Sequence, residues 1–310
     1  MPPSPRLAWQ PRFILPVLVL LAAMAALGWW IGHRAADAEI TARPALWHIS
    51  QGDKEAYLFG TIHAVPQGER WLSPAIARAV AHSDALLLEV TGLEGERRSR
   101  STFERLGRTP GLPDIGTRLD NDADAGLFAD LERRHPATLR NLGGYESWAA
   151  ALLVNAAASS GLSLSADNAG EAVFSHMFAA AGKPIEGLET VDGQLGLFDA
   201  LSESDQRLLL TQAVREAGDA PRLYRILHDA WASGDLGTLE RQFLAPLART
   251  PMLREILVDA RNRRWSTLID QRLRTRPGVP FIAVGAGHLV GAQSVQARLA
   301  TLGWRVERVQ

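Results

Sequence analysis

The same order of parts occurs twice in this chain: a strand, a Gly-X-X-His tetrapeptide, a helix and a second strand. The two histidines, His63 and His288, are 225 positions apart (288 − 63). In the first copy, Ala56-Tyr57-Leu58-Phe59-Gly60 reads as a strand and runs into Gly60-Thr61-Ile62-His63. Ser73-Pro74 then opens a helix to about His82, with serine as the cap and proline at the first helical position. Residues 84–90, Asp-Ala-Leu-Leu-Leu-Glu-Val, form the continuous apolar run of a strand buried on both faces. In the second copy, residues 279–284 read as a strand leading into Gly285-Ala286-Gly287-His288. Residues 294–302 follow as a helix closed by Gly303, and residues 304–309 alternate as a final strand. Two such units are expected to share one sheet, so that the ends of the chain meet in space. The pattern reads as a degenerate internal repeat around a helical insert.

Upstream of the first copy, Ala45-Leu46-Trp47-His48-Ile49-Ser50 is a further strand, and Gln51-Gly52-Asp53-Lys54 turns it into a hairpin. Residues 94–276 are mostly helical in pattern, with packed helices over 147–158 and 171–181, the latter capped by Gly182. Residues 183–188 form a short strand or extended segment ending near Glu189. Ser202-Glu203-Ser204-Asp205 has the form of a capping box, and helices continue to Leu273 before Pro277-Gly278 breaks the pattern. The expected fold is α/β (α+β): a sheet formed by the N- and C-terminal strand–helix–strand units, with a large helical insert.

The N-terminus carries a different signal. Residues 13–31 are apolar and free of charge, and Arg6 and Arg12 precede them. A bilayer-spanning helix needs roughly 20 apolar residues, whereas the apolar core of a signal peptide has roughly 7–15. The expectation is one uncleaved transmembrane helix over 13–32, with 1–12 cytoplasmic, 33–44 a linker, and 45–310 a domain on the extracytoplasmic, periplasmic side of an inner membrane. Cleavage after Ala36-Asp37-Ala38 is the alternative, and it leaves the export expectation intact.

The chain has 310 residues, of which 46% are hydrophobic, enough to bury a sizeable core. It has no cysteine, which excludes disulfides, thiolate metal sites and cysteine nucleophiles. Formal net charge is −1 with the signs interspersed and no basic block, so nucleic acid is not an expected partner. Nothing in the sequence specifies an oligomeric state.

Chemistry is expected where the strands end. Glycine there lets the backbone turn sharply or approach a ligand closely, and strand ends of open α/β sheets are the usual place for sites. Two neutral imidazoles and a carboxylate make a divalent metal set that leaves positions for water. Glu89 is the carboxylate of choice, because it interrupts an otherwise apolar strand and a buried carboxylate needs a metal or a partner. Its plainer alternative is an ion pair with an arginine. His48, His82, His135, His176 and His228 lack this context and are read as structural or solvated, and the tryptophans as core. Gly285-Ala286-Gly287 lacks the spacing of a nucleotide loop.

Taken in order, Tyr57-Leu58-Phe59-Gly60-Thr61-Ile62-His63, Leu86-Leu87-Leu88-Glu89, Gly187-Leu188-Glu189-Thr190, Arg261-Asn262-Arg263-Arg264-Trp265 and Val284-Gly285-Ala286-Gly287-His288-Leu289 resemble the TraB/GumN family, which includes the Tiki-type membrane metalloproteases. The resemblance covers residues 45 to 310. It implies sheet-forming ends around a helical middle, and metal-dependent hydrolysis of peptides or protein segments with a divalent ion (manganese, cobalt or zinc). On that resemblance His63, Glu89 and His288 are the metal ligands. Glu189 is a second carboxylate ligand or the general base, with an arginine salt bridge as its plainer role. Arg263 polarises a carbonyl or holds a catalytic carboxylate, with a surface ion pair as the alternative. Pheromone-shutdown relatives imply the handling of a secreted peptide, and haem-binding members of the wider group imply sequestration without turnover; fold alone does not choose among these.

Overall fold

The computed structural model describes residues 42–91 and 96–310. The expected transmembrane helix over 13–32 lies outside the described residues. Among those described, no helix is long and apolar enough to cross a membrane.

The chain opens with the expected hairpin, β1 (Leu46–Gln51) and β2 (Lys54–Thr61), turned by Gly52 at φ +61°. A two-residue strand, β3 (Val65–Pro66), precedes helix α1 (Pro74–His82), whose first turn is capped by Ser73 Oγ accepting from Ile76 N at 3.2 Å. Strand β4 (Ala85–Thr91) follows. The middle of the chain forms α2 (Glu96–Gly107), α3 (Asp122–Arg134), α4 (Ser147–Ser159), the short β5 (Leu164–Ser165), α5 (Gly170–Ala180), β6 (Ile185–Thr190) and α6 (Val191–Asp199). It continues through α7 (Glu203–Ala217), α8 (Ala220–Ser233), α9 (Leu236–Leu244) and α10 (Ala260–Thr275), the last entered through a π-helical turn at Glu255–Asp259. Strand β7 (Pro280–Gly285), helix α11 (Val295–Thr301) and strand β8 (Arg305–Arg308) end it.

Six strands make one sheet in the order β6-β4-β7-β2-β1-β8. Strands β2, β7, β4 and β6 are mutually parallel, while β1 is antiparallel to both β2 and β8. Both strand–helix–strand units are therefore crossovers, and they interleave: β7 lies between β2 and β4. The register sets Gly60 beside Val284 and Thr61 beside Gly285, so the two Gly-X-X-His segments leave the sheet side by side. One correction to the expected architecture concerns the insert. Its extended segment runs on to Thr190 and forms β6, which pairs with β4, so the insert itself supplies an edge of the sheet.

Alternation along the strands assigns the faces. Phe59, Leu86, Leu88, Phe281 and Ala283 pack with Trp71, Phe174, Phe178 and Trp231 on one face. Leu58, Leu87, Ile282 and Val284 pack with Trp265, Ile269, Leu273 and Leu299 on the other. A third core, centred on Trp148, Val154, Leu210 and Val214, joins the helices of the insert.

Candidate functional site

The C-terminal ends of β2, β7 and β4 are neighbours, and each carries one of the residues singled out by the sequence. His288 sits in a short 3-10 turn directly after β7 and is buried. Asn262 fixes its tautomer. The Asn262 amide nitrogen donates to the Gln293 carbonyl at 2.9 Å and lies 3.4 Å from the His288 carbonyl, which leaves Oδ1 to meet His288 Nδ1 at 2.7 Å. The ring proton therefore resides on Nδ1, and Nε2 keeps its lone pair. Nε2 accepts from Arg261 at 3.1 Å and lies 3.9 Å from Glu89 Oε1. Burial, then the Arg261 charge, then His63 hold the His288 pKa well below its ordinary value, so the imidazole is neutral and suited to act as a ligand. The Trp265 ring packs against it with centroids 4.4 Å apart.

Glu89 keeps the alternation of β4 and turns toward α10. Its Oε1 accepts from Gly285 N at 2.5 Å, and glycine leaves room for the approach: a Cβ at position 285 would stand 3.0 Å from that same oxygen and push it back by a few tenths of an ångström. Its Oε2 accepts from Arg261 at 3.0 Å and is 3.5 Å from Gln194 Nε2. The arginine partner weighed for Glu89 is thus Arg261, which also bonds Glu189 Oε1 through Nε at 2.8 Å. Arg264 holds the other oxygen of Glu189. Glu189, nearly inaccessible to solvent, is taken up on both oxygens by guanidinium groups and orders them.

His63 differs from His288 in being open. Its side chain is 85% exposed, yet it stands in the wall of a cavity of about 810 Å³, which it lines with Glu89, Glu171, Gln194 and the apolar Leu88, Val90, Phe103 and Leu195. Its Nδ1 lies 3.3 Å from Glu171 Oε1, which also accepts from Thr61 Oγ1 at 2.6 Å. The hydrogen bond to Glu171 raises the His63 pKa; the surrounding cavity walls, which desolvate the ring although most of it is open to solvent, oppose the rise, Glu89 adds to it and Arg261 opposes it. Burial pushes the Glu171 carboxyl up, but His63 and Thr61 together hold it below its ordinary value. The loop beyond His63 is tied down by Tyr224, whose hydroxyl donates to Ala64 O at 3.1 Å, and by Asn168, whose amide donates to Glu69 O at 3.1 Å. His228, read as structural, bonds Glu69 at 2.5 Å.

The structure brings His63, Glu89 and His288 into one neighbourhood, with Glu171 and Arg261 among them. It does not bring Arg263 there. Arg263 is exposed and pairs with Glu255, because on a helix it lies on the opposite side from Arg261. Two residues absent from the sequence expectation thus belong to the site, Arg261 and Glu171. The first had a signal: Trp265, Ile269 and Leu273 mark the buried stripe of α10, and Arg261 stands four positions before Trp265 on that stripe. Glu171 had none beyond following a glycine.

Among the described residues, no three His, Asp or Glu side chains close into a ligand cage. The donor chemistry nevertheless fits a divalent cation in two respects: a neutral imidazole whose Nε2, now bonded by Arg261, lies 3.9 Å from Glu89 Oε1, and a second imidazole at the end of the adjacent strand. Arg261 supplies the positive charge between Glu89, Glu189 and His288 and competes with a cation for the same lone pairs.

A model of the TraB/PrgY/gumN family matches residues 45–308 of the chain. No curated protein and no solved structure matches it.

Proposed function

The chain belongs to the TraB/PrgY/gumN family, and on that basis we propose that it is a metal-dependent hydrolase acting on peptides or protein segments, in which His63, Glu89 and His288 hold the ion. One observation carries the reading: the two Gly-X-X-His segments leave adjacent parallel strands side by side, with Glu89, from the strand on the other side of β7, bonded to Gly285 and lining an apolar cavity together with His63. A divalent ion in that position supplies a Lewis acid and lowers the pKa of water. The chain's own groups do the rest. Asn262 keeps the His288 proton on Nδ1. Leu88, Val90, Phe103 and Leu195 receive an apolar side chain of the substrate and exclude water around it. Arg261, and not Arg263, takes the arginine's place in the site, and its guanidinium is positioned to stabilise negative charge developing beside Glu89. Glu189 holds Arg261 and Arg264; for it to accept a proton, one of these pairs must open.

Export and membrane anchoring are part of the same proposal and rest on residues 13–31 alone. The test is to purify the full chain, measure bound manganese, cobalt and zinc, and follow cleavage of a broad peptide pool with and without chelator. Stoichiometric metal and chelator-sensitive cleavage are expected. A second reading, a peptide- or haem-sequestering protein without turnover, is favoured by one feature: Arg261 already satisfies the lone pairs of His288 and Glu89. Tight peptide or haem binding by protein that holds no metal and cleaves nothing decides for it.

A further inference from the structure

Glu171 reaches His63 from a different layer of the fold. It is the second residue of α5, a helix that packs Phe174 and Phe178 onto the sheet, whereas His63 follows β2. The approach is close: a Cβ on Gly170 would stand 2.7 Å from Thr61 Cγ2, so a side chain at 170 must displace α5 or Thr61. One carboxylate oxygen of Glu171 meets both Thr61 Oγ1, at 2.6 Å, and His63 Nδ1, at 3.3 Å. The hydroxyl can only donate to it, so a neutral imidazole meets a carboxylate that accepts and does not give. The other oxygen is buried without a partner, so the side-chain bonds of the carboxylate all fall on the oxygen shared by Thr61 and His63.

We propose that Glu171 is the positioning residue of His63: it holds the imidazole proton on Nδ1, with Thr61 fixing the carboxylate, so that His63 presents the Nε2 lone pair. The arrangement matches what Asn262 does for His288, although a charged carboxylate on another element performs it. Both histidines then offer the Nε2 lone pair, with the other ring nitrogen held by an outer partner. The assignment concerns the free protein and stands whether or not the chain is a hydrolase.

The tautomer is read directly from long-range proton–nitrogen correlations of the side chain in the full-length protein without metal, at a pH high enough for His63 to be neutral. The signals are assigned by their loss in His63→Asn. In the unaltered protein, Nδ1 of His63 is expected to carry the proton. Glu171→Met, similar in length but unable to accept, is expected to shift His63 to the Nε2–H form that free histidine prefers in water. Glu171→Gln keeps an acceptor oxygen and is expected to retain Nδ1–H. An Nε2–H tautomer in the unaltered protein overturns the proposal on its own, even if Glu171→Met does not fold. An unchanged tautomer in folded Glu171→Met overturns it equally, because something other than Glu171 then holds the proton.

Discussion

Arg261 and Arg263 are two positions apart and have opposite fates. Arg261 is buried between Glu89, Glu189 and His288, while Arg263 lies in water beside Glu255. Truncating Arg261 to alanine leaves the buried Glu89 without a cationic partner and Glu189 with Arg264 alone, for which a loss of about 3–5 kcal/mol is expected. Arg263→Ala removes only a surface pair and is expected to leave the unfolding midpoint almost unchanged. Urea unfolding of both variants checks the contrast, and equal losses would mean that Arg261 is not the central cation of the site. The Gly170→Ala variant tests the other wall: its Cβ meets Thr61 and forces α5 or the end of β2 to move, with an expected cost of about 1–3 kcal/mol. Part of this could be read from residue types alone. The glycines before His63 and His288 and the carboxylate within an apolar strand mark the site without any structure. The helical period could have separated Arg261 from Arg263. Glu171 could not have been found that way, because what makes it special is a contact between α5 and β2, and no local pattern encodes such a contact.

Elements came through the sequence in proportion to how far their signals are local. The hairpin turn, the Ser73-Pro74 helix start and the apolar run of β4 are written in neighbouring residues, and they formed where expected. Strand order is not local: β7 enters between β2 and β4, and β6 joins from within the insert, because apolar faces on both sides of the sheet had to be covered by helices distant in sequence. The helical core has its own electrostatic tie. Asp124 in the first turn of α3 accepts two bonds from Arg215 on α7, at 2.8 and 2.7 Å. Arg215 holds the Asp124 carboxyl below its ordinary value of 3.8, against the opposing effect of burial. The folded chain thus keeps the carboxylate to lower pH than the unfolded chain does. The stabilisation is fully present above the unfolded value and is lost as pH falls through the folded one. Asp124→Asn should accordingly be less stable than the parent at neutral pH, with the gap closing as pH falls below about 4. A gap that stays constant with pH would show that the pair contributes nothing through charge.

At the scale of the whole molecule the interleaving of the two crossovers has a consequence for how the chain can fold. The central strand of the parallel set, β7, is contributed by the last 31 residues, 280–310, and without it β2 and β4 have no bond to each other. The chain also closes on itself at its end. Val309 N donates to Leu46 O at 2.8 Å, and the Gln310 side chain donates to Pro44 O at 2.9 Å while accepting from Ser73 Oγ at 2.5 Å. Pairings this distant in sequence carry the full cost of closing the intervening chain before they yield anything, so the sheet is expected to form late and as a unit. The helical core around Trp148 and Leu210 uses none of these strands. Two truncations separate the contributions. A chain ending at Trp304 loses β8, an edge strand with mostly exposed side chains, and the bonds of Val309 and Gln310, and should keep a cooperative urea transition at lower midpoint. A chain ending at Arg276 loses β7 as well. It should retain much of its far-ultraviolet helical signal but lose the near-ultraviolet tryptophan signal from Trp71, Trp231 and Trp265, which pack on the sheet. A cooperative transition with native near-ultraviolet intensity in that shorter chain would mean that the first unit folds without the second, and that β7 completes the sheet without being needed to form it.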